Sequence, residues 1–184
     1  TIFTEFRVLL TTMQKILEEI AEEEDGKFYH EEEILPKSSW GASTAEGHYH
    51  LNISYKGILI KMIFTTQTHS VAQTEFTLHK QEENLSFQIT TKSPLMSLFS
   101  RSKNPISIKT KNLGLLQYLE NHKDFKTMNV LARKYGFDPY IVGENNSDGF
   151  NIRTEFHLQF PQRSEVVKPL IGFYKVLIDW FVLK

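Results

Sequence analysis

The chain has 184 residues, a formal net charge of −1, and 40% hydrophobic and 23% charged residues. This length suits one domain with its own core, and the near-neutral charge argues against a dedicated nucleic-acid-binding protein, which usually has a strongly basic domain. The absence of cysteine excludes disulfides, thiol nucleophiles, zinc–thiolate centres and iron–sulfur clusters, and it favours a reducing cytoplasm.

The first predicted element is an amphipathic helix that ends at Gly26. Apolar residues recur there every three or four positions, which is the spacing of one helix face. They are Phe3, Phe6, Leu9, Leu10, Met13, Ile16, Leu17 and Ile20. The next stretch, residues 27–47, contains Pro36, the sequence SSWG and the acidic run HEEE, and these predict a long connection.

Alternation with a period of two begins at Tyr49 and indicates β-strands. Tyr49 to Tyr55 and Ile58 to Phe64 alternate on either side of Lys56-Gly57, which predicts a hairpin with a tight turn. Two more strands, around 73–80 and 85–91, are joined by the polar sequence QEEN, so we expect these four strands to form a meander. Ile106 and Ile108 indicate a short fifth strand.

The remaining elements complete an α+β pattern. Residues 113–134 predict a helix interrupted near Asp124, and a brief strand at 140–142 precedes a long alternating strand that ends at Phe160. A helix from about Ser164 to the end is apolar except for one narrow stripe, so we expect it to be buried, with an oligomer interface or a membrane surface as alternatives.

The predicted fold is a single α+β domain with a mainly antiparallel sheet of about six to seven strands. An N-terminal helix, a middle helix and a buried C-terminal helix pack on the sheet. The predicted segments are an N-terminal helix at 1–26, a long connection at 27–47, a sheet with an inserted helix at 48–160, and a C-terminal helix at 162–184.

Two histidines are the first candidates for metal chemistry. His48 and His50 lie two residues apart in a predicted strand, so both side chains point to one face. Two imidazoles need a third ligand from a neighbouring strand. The tight hairpin turn sets Ile63 and Thr65 opposite them, and neither is a ligand. We therefore expect neither a metal nor a cofactor.

Residues 144–155, ENNSDGFNIRTE, nearly match a calcium-binding EF-hand loop. Glu144, Asn146, Asp148, Gly149 and Glu155 occupy ligand and turn positions of that pattern. An EF-hand needs flanking helices, however, and the period-two alternation after Gly149 places Glu155 in the middle of a strand. We therefore expect a polar hairpin turn rather than a calcium site.

The segment SPLMSLFSRSKNP, residues 93–105, combines apolar and basic side chains. Such a cluster is typical of a loop that binds a membrane surface or a partner, although a short helix folded onto the core is the alternative. The candidate binding residues are Leu95, Met96, Leu98, Phe99, Arg101 and Lys103.

Charge is unevenly distributed along the chain. Residues 1–33 contain ten acidic and three basic residues, whereas residues 86–134 contain nine basic and two acidic ones. One interpretation is that the two regions lie close together and partly neutralise each other. The other is that residues 101–134 form a basic face for an anionic partner.

These patterns predict a non-enzymatic binding domain that contacts a protein or an anionic partner. No G-x-S-x-G nucleophile turn, HExxH zinc pattern or phosphate-binding loop occurs, which lowers the odds of an enzyme without excluding one. Sixteen lysines against five arginines, with only five alanines, favour an AT-rich bacterial genome. Because the chain starts at Thr1, we expect that an upstream segment was processed or trimmed away.

Three alternatives stay open at this point. The first is a small-molecule-binding protein or hydrolase with a pocket between sheet and helices, in which His50, His79 and His157 are candidates. The second is a peripheral membrane-surface protein. The third concerns assembly, since the apolar C-terminal helix could form an oligomer contact. No specific nucleic-acid partner is expected.

Overall fold

The structure is a computed structural model that describes residues 2–34, 45–66, 70–79, 85–92, 104–160 and 162–182. These residues form one eight-stranded antiparallel sheet and four α-helices, which confirms the predicted α+β class with slightly more strands than expected. The strands are β1 (Lys27–Ile34), β2 (Ala45–Tyr55), β3 (Ile58–Thr66), β4 (Val71–Leu78), β5 (Phe87–Thr91), β6 (Ile106–Thr110), β7 (Tyr140–Asn146) and β8 (Gly149–His157). The helices are α1 (Ile2–Glu23), α2 (Leu113–Asn121), α3 (Lys123–Tyr135) and α4 (Val167–Val182), the last preceded by a 3-10 turn at Arg163–Val166.

The strand order across the sheet is β1-β2-β3-β4-β8-β7-β5-β6. The predicted hairpin register is confirmed, with His50 opposite Ile63 and His48 opposite Thr65. The predicted meander is wrong in its fourth strand, because β4 pairs with β8 and β5 lies between β7 and β6. β8 forms eight residue pairs along β4, whereas β5 has only five residues. The longer strand with matching alternation therefore takes the position beside β4. The joining residues 80–84 lie outside the described residues.

Strand β1 corrects the predicted long connection at 27–47. Its sequence KFYHEEEI contains three consecutive glutamates, a residue type that strands usually disfavour. β1 pairs only with β2 among the described strands and lies at the edge of the sheet, where charged side chains are common because they discourage further strand pairing. Apolar residues alternate only weakly along β1. The strand also contacts β2 through the His30 ring, which stacks on Tyr49 with 4.6 Å between ring centroids.

One face of the sheet is buried beneath the helices, and we call it the covered face. Alternate strand residues point to this face and build the core, as the period-two pattern requires. They include Leu51, Ile53, Ile60, Met62, Phe64, Phe76, Phe87, Ile89, Ile141, Phe150, Ile152 and Phe156. The intervening residues lie on the opposite face, which we call the open face. Antiparallel sheets commonly leave one face to solvent in this way.

The predicted interruption of the middle helix is confirmed at His122, which separates α2 from α3. The Asn112 side chain accepts a hydrogen bond from the Leu115 backbone N–H at 2.9 Å and begins α2. His122 is extended and its Nδ1 accepts from the Asp124 backbone N–H at 3.3 Å, so it begins α3. Such side-chain acceptors satisfy backbone donors that a helix leaves unpaired at its start.

Helix α4 is buried, as predicted, and lies over the middle of the covered face. Nine of its sixteen residues are buried, and Tyr174 and Phe181 contact strand rings at 5.3 and 4.8 Å between centroids. Among its described residues, only Lys168 and Val182 are exposed, and the others are buried or half-buried. Little of the surface of α4 is therefore exposed for an oligomer contact. No helix in the described parts of the chain is both long and apolar enough to cross a membrane.

The polar stripe of α4 attaches the helix to its neighbours. Lys168 and Lys175 form ion pairs with Glu23 and Glu24 at the end of α1, the first at 2.7 Å. Asp179 forms an ion pair with Lys56 at 2.7 Å and accepts a hydrogen bond from the Tyr55 hydroxyl at 3.0 Å. The β2–β3 turn and the end of α1 are thus fixed to the same helix.

Tyr174 contributes a buried hydroxyl to the core. It faces Thr74 and Thr154, which are paired across β4 and β8, and burial raises the pKa of Tyr174 far above its ordinary value. The two threonine hydroxyls lie near enough to act on that pKa. Even so, none of the three hydroxyls has a partner within normal hydrogen-bond geometry in the described residues. The hydroxyl of Tyr174 therefore stabilises the fold little.

The Tyr174 hydroxyl lacks a hydrogen-bond partner among the described residues, whereas the Tyr55 hydroxyl donates to Asp179, so removal of the hydroxyl should have different effects at the two positions. Tyr174→Phe removes a poorly bonded buried hydroxyl, so we expect the free energy of unfolding to stay at the level of the parent or to rise. Tyr55→Phe removes a hydrogen bond to a carboxylate and should lower it by about 1 kcal/mol. Urea unfolding curves measure both, and a larger loss at Tyr174 than at Tyr55 would contradict this account.

Candidate functional site

The open face aligns polar side chains in rows across the sheet. One row crosses all eight strands through Lys27, Asn52, Lys61, Glu75, Arg153, Val142, Gln88 and Lys109. The adjacent row runs through Tyr29, His50, Ile63, Gln73, Glu155 and Tyr140. Side chains opposite each other in neighbouring strands lie close enough to interact. The open face is therefore a continuous polar surface with an exposed tyrosine at each end of the second row.

A groove lies in the middle of this face, across β3, β4, β8 and β7. Its volume is about 510 Å³, within the usual range for small-ligand sites. We call it the open-face groove, and its open-face lining residues are Lys61, Ile63, Gln73, Glu75, Tyr140, Val142, Glu144, Arg153 and Glu155. Thr74 and Thr154 also border it, although their side chains are buried on the covered face. The groove lies on the side of the sheet away from the helices. The sequence-based alternative of a pocket between sheet and helices therefore describes a different place from this one.

Hydrogen bonds hold the carboxylates of the groove in place. Asn151 is buried and its amide nitrogen donates to Glu75 at 2.9 Å and to Thr77 at 3.1 Å. Gln73 donates to Glu155 at 3.4 Å, and Arg153 forms an ion pair with Glu144. The glutamates remain exposed to solvent, yet each already has a donor from a neighbouring strand. The groove thus presents fixed acceptors and donors of nearly balanced charge.

Apolar surface in the groove comes from three side chains. Ile63 and Val142 are half-buried, whereas Tyr140 at the start of β7 is 52% exposed. Large aromatic rings are usually much better covered, because their burial contributes strongly to stability. Tyr140 therefore presents one open ring beside the polar network.

The histidine pair in β2 does not build a metal site. His50 stacks on Tyr29 of β1 with ring centroids 4.4 Å apart, and its Nε2 lies 4.0 Å from a carboxylate oxygen of Glu31. His48 Nδ1 lies 3.3 Å from the Thr65 hydroxyl. Across the described residues, no group of three histidine or acidic side chains is arranged to hold a metal ion. The neighbouring strand β1 supplies one carboxylate and no further imidazole toward His50.

The three histidines named for a catalytic pocket are far apart. His157 is paired with Val71 at the beginning of β4, whereas His79 follows the other end of that strand. His50 is on β2, three strands from β8 and so about 14 Å away at the normal strand spacing. None of the three lines the open-face groove. Their separation removes the basis for a shared histidine site.

Residues 144–155 belong to the β7–β8 hairpin, and polar groups of the hairpin bond to one another and to neighbouring strands. Asn146 Oδ1 accepts a hydrogen bond from the Asp148 backbone N–H at 2.9 Å. Glu144 pairs with Arg153, and Glu155 accepts from Gln73 on the open face. The ring of ligands that calcium requires is therefore not formed, because Glu155 lies in the middle of strand β8 as expected.

The candidate binding segment at residues 93–105 lies outside the described residues, except for its last two positions. Leu95, Met96, Leu98, Phe99, Arg101 and Lys103 all lie outside the described residues. Their role in binding stays a prediction.

Strands β1 and β6, which belong to the two charged regions of the sequence, lie at opposite edges of the sheet, and this placement does not favour the interpretation that the regions neutralise each other. The first edge has exposed acidic residues of α1, β1 and the turn between them, which we call the acidic end: Glu18, Glu19, Glu22, Asp25, Glu31 and Glu32. The second edge has exposed lysines of β6, of the turn that follows it and of α3, which we call the basic end: Lys109, Lys111, Lys123, Lys126 and Lys134. No ion pair found among the described side chains joins the two ends.

The sequence patterns did not single out several residues of this site, among them Lys61, Gln73, Glu75, Tyr140, Val142 and Arg153 of the groove lining, and Asn151, which donates to Glu75. Alternation alone places Arg153 on the outer face of its strand, and that signal was available. The groove was not foreseeable, because it depends on β8 and β7 lying beside β4 rather than beside β5. Comparison of the chain with protein-family models, curated proteins and solved structures finds no match.

The turn at Gly149 offers a test of the β7–β8 hairpin that carries the groove. Gly149 has φ of +141°, and an added Cβ would lie 2.1 Å from the Leu78 carbonyl oxygen. We expect Gly149→Ala to lower the free energy of unfolding by at least about 2 kcal/mol, since the clash is with backbone.

Gly57 is the matched control for that substitution. It has φ of +78° but nothing within 4 Å of an added Cβ, so Gly57→Ala should cost only about 1 kcal/mol. Chemical denaturation measures both variants. Equal losses at the two glycines would show that the contact with Leu78 does not matter.

Proposed function

We propose that the chain is a non-catalytic binding domain whose open-face groove takes a neutral, hydroxyl-rich ligand of the size of a short oligosaccharide. The observation that carries this proposal is the 52% exposed ring of Tyr140 beside a network of planar polar side chains. A sugar ring has an apolar face that packs on an aromatic ring and hydroxyls that both donate and accept hydrogen bonds. The groove offers partners for both.

The charge balance of the groove favours a neutral ligand. Lys61 and Arg153 oppose Glu75, Glu144 and Glu155, so the lining carries charges of both signs in nearly equal number. Arg153 is already paired with Glu144. A strongly ionic ligand would have to compete with these pairs and would meet like charges on part of the lining. Hydroxyl groups can instead add to the bonds that exist, because carboxylates and guanidinium groups have further acceptor and donor positions.

Size and rigidity also support a binding role. The groove volume of about 510 Å³ is enough for a ligand of a few sugar rings. Its polar groups come from strand positions whose register is fixed by pairing on both sides, so they need little ordering when a ligand arrives. A pre-organised surface of this kind loses less conformational entropy on binding than a flexible loop does.

The carboxylates favour binding over hydrolysis of such a ligand. A glycosidase needs one carboxyl group that stays protonated, usually because it is buried in apolar surroundings, and a second that is ionised. Glu75, Glu144 and Glu155 are all exposed and all face a donor. None of the three is buried in apolar surroundings, and all three act as hydrogen-bond acceptors for neighbouring side chains.

The test is titration of the protein with a panel of neutral oligosaccharides, followed by calorimetry or by NMR shift changes. We expect Tyr140→Ala to weaken binding of the best ligand by about tenfold, since a stacked aromatic contact contributes on the order of 1 kcal/mol beyond the area it buries. Reducing-end release from the same ligands should stay at the level of a blank.

Tyr29→Ala is the matched control. Tyr29 is 44% exposed and lies at the other end of the same row, outside the groove and stacked on His50. Its substitution should leave the affinity unchanged. Failure of all neutral saccharides to bind, or equal losses in the two tyrosine variants, would contradict the proposal.

A further inference from the structure

The strand order places the acidic strand β1 and the basic strand β6 at opposite edges of the sheet. β1 and β6 are the first and last strands of the sheet, seven strand spacings apart, which corresponds to about 34 Å. Charges on β1 and charges on β6 are therefore several Debye lengths apart along the sheet at moderate salt and interact little with each other. The described residues therefore form two exposed surfaces of opposite sign, although the net charge of the chain is −1.

Helix α3 determines what a partner meets at the basic end. The buried Asn129 of α3 accepts a hydrogen bond from the backbone N–H of Ile106 in β6 at 3.1 Å, so the helix partly covers this edge of the sheet. Lys123, Lys126 and Lys134 point outward from α3. A partner at this edge therefore contacts a lysine-bearing helix face rather than an open strand.

The acidic end presents the complementary surface. Glu18 and Glu22 are exposed one turn apart on α1, and Glu31 and Glu32 are exposed on the edge strand β1. Glu23 and Glu24 are used within the molecule by Lys168 and Lys175, whereas Glu22 and Asp25 enter none of the ion pairs found among described residues. In the described part of the chain, unpaired negative charge thus lies at the end of α1 and in the turn that follows it, whereas Glu31 and Glu32 of β1 each lie 4.0 Å from a histidine ring nitrogen.

We propose that a second copy of this chain occupies the basic end through its own acidic end, so that molecules associate head to tail. The complementary partner surface is present on every molecule, and both surfaces are built on a helix beside an edge strand. A contact between two different surfaces does not close on itself as a two-fold dimer does, so it can continue to further copies. Because single surface ion pairs contribute little, the association depends on several pairs together and weakens with salt.

A long polyanion is a poorer match for the same lysines. A nucleic acid extends far beyond one edge of the protein and would also meet the repelling acidic end. Proteins dedicated to that partner usually have a strongly basic net charge, which this chain lacks. This inference is independent of the open-face groove, which lies on the middle strands.

Sedimentation velocity of the wild-type chain over a range of concentrations tests the proposal. At about 20 mM salt we expect the weight-average mass to rise with concentration beyond that of a dimer, and at about 300 mM salt we expect monomer. A monomer at every concentration in low salt would overturn the proposal, as would an association that salt does not weaken.

Two charge-reversal variants make the test specific. Lys123→Glu/Lys126→Glu/Lys134→Glu removes the basic end, and Glu18→Lys/Glu22→Lys/Glu32→Lys removes the acidic end. Each variant alone should associate at least tenfold more weakly than wild type, while an equimolar mixture should recover heterodimers because one basic surface meets one acidic surface. Circular dichroism confirms that both variants fold. Association that persists in either variant alone, or a mixture that stays monomeric, would overturn the head-to-tail contact.

Anionic lipid is the other occupant that this experiment distinguishes. Vesicles of phosphatidylcholine with 30% phosphatidylserine are sedimented with wild type and with the lysine-reversed variant. We expect no lysine-dependent retention. Retention of wild type alone, together with a monomeric wild type at low salt, would assign the basic end to a membrane surface and overturn the second-copy contact.

Discussion

The burial of α4 on the covered face is the interaction on which the rest of the structure depends. Its nine buried residues pack against rings and aliphatic side chains of the central strands. Its polar residues form ion pairs with the end of α1 and with the β2–β3 turn, and Gly172 lies beside Asp124 of α3. Burial of apolar surface of this kind is the dominant favourable term in folding. Because all helices are used on one side, the other side of the sheet remains open and polar. The open-face groove follows from that division.

The sequence patterns were sufficient where a feature depends on neighbouring residues. The β2–β3 register followed from period-two alternation around Lys56-Gly57, since a shift by one residue would turn every apolar side chain to the wrong face. The break at His122 and the hairpin at 145–149 were likewise local. The EF-hand likeness was rejected for a local reason as well, because alternation after Gly149 excluded the helix that such a loop requires.

The patterns failed where a feature depends on residues distant in the chain. β1 was missed because its run of glutamates has low strand propensity, and only its position at the edge of the sheet makes those charges favourable. The pairing of β4 with β8 could not be derived from chain order, since β5 was the nearer candidate. The open-face groove combines residues of β3, β4, β7 and β8, so it inherits this non-local pairing. Arg153 could be placed on an outer face, but its neighbour Glu75 in β4 could not be named.

The pairing of β4 with β8 also sets the order in which the chain can fold. Asn151 and Thr77, which are hydrogen-bonded across these strands, are 74 residues apart. While the protein is being synthesised, β1 to β4 are complete long before β8 emerges. Until then the edge of β4 that later pairs with β8 is unpaired, and the apolar residues Phe76 and Leu78 belong to this strand. Contacts that span many residues are slow to form, and an open strand edge is a place where chains join incorrectly. The same topology that creates the groove thus leaves the nascent N-terminal half dependent on the last part of the sheet for protection from aggregation.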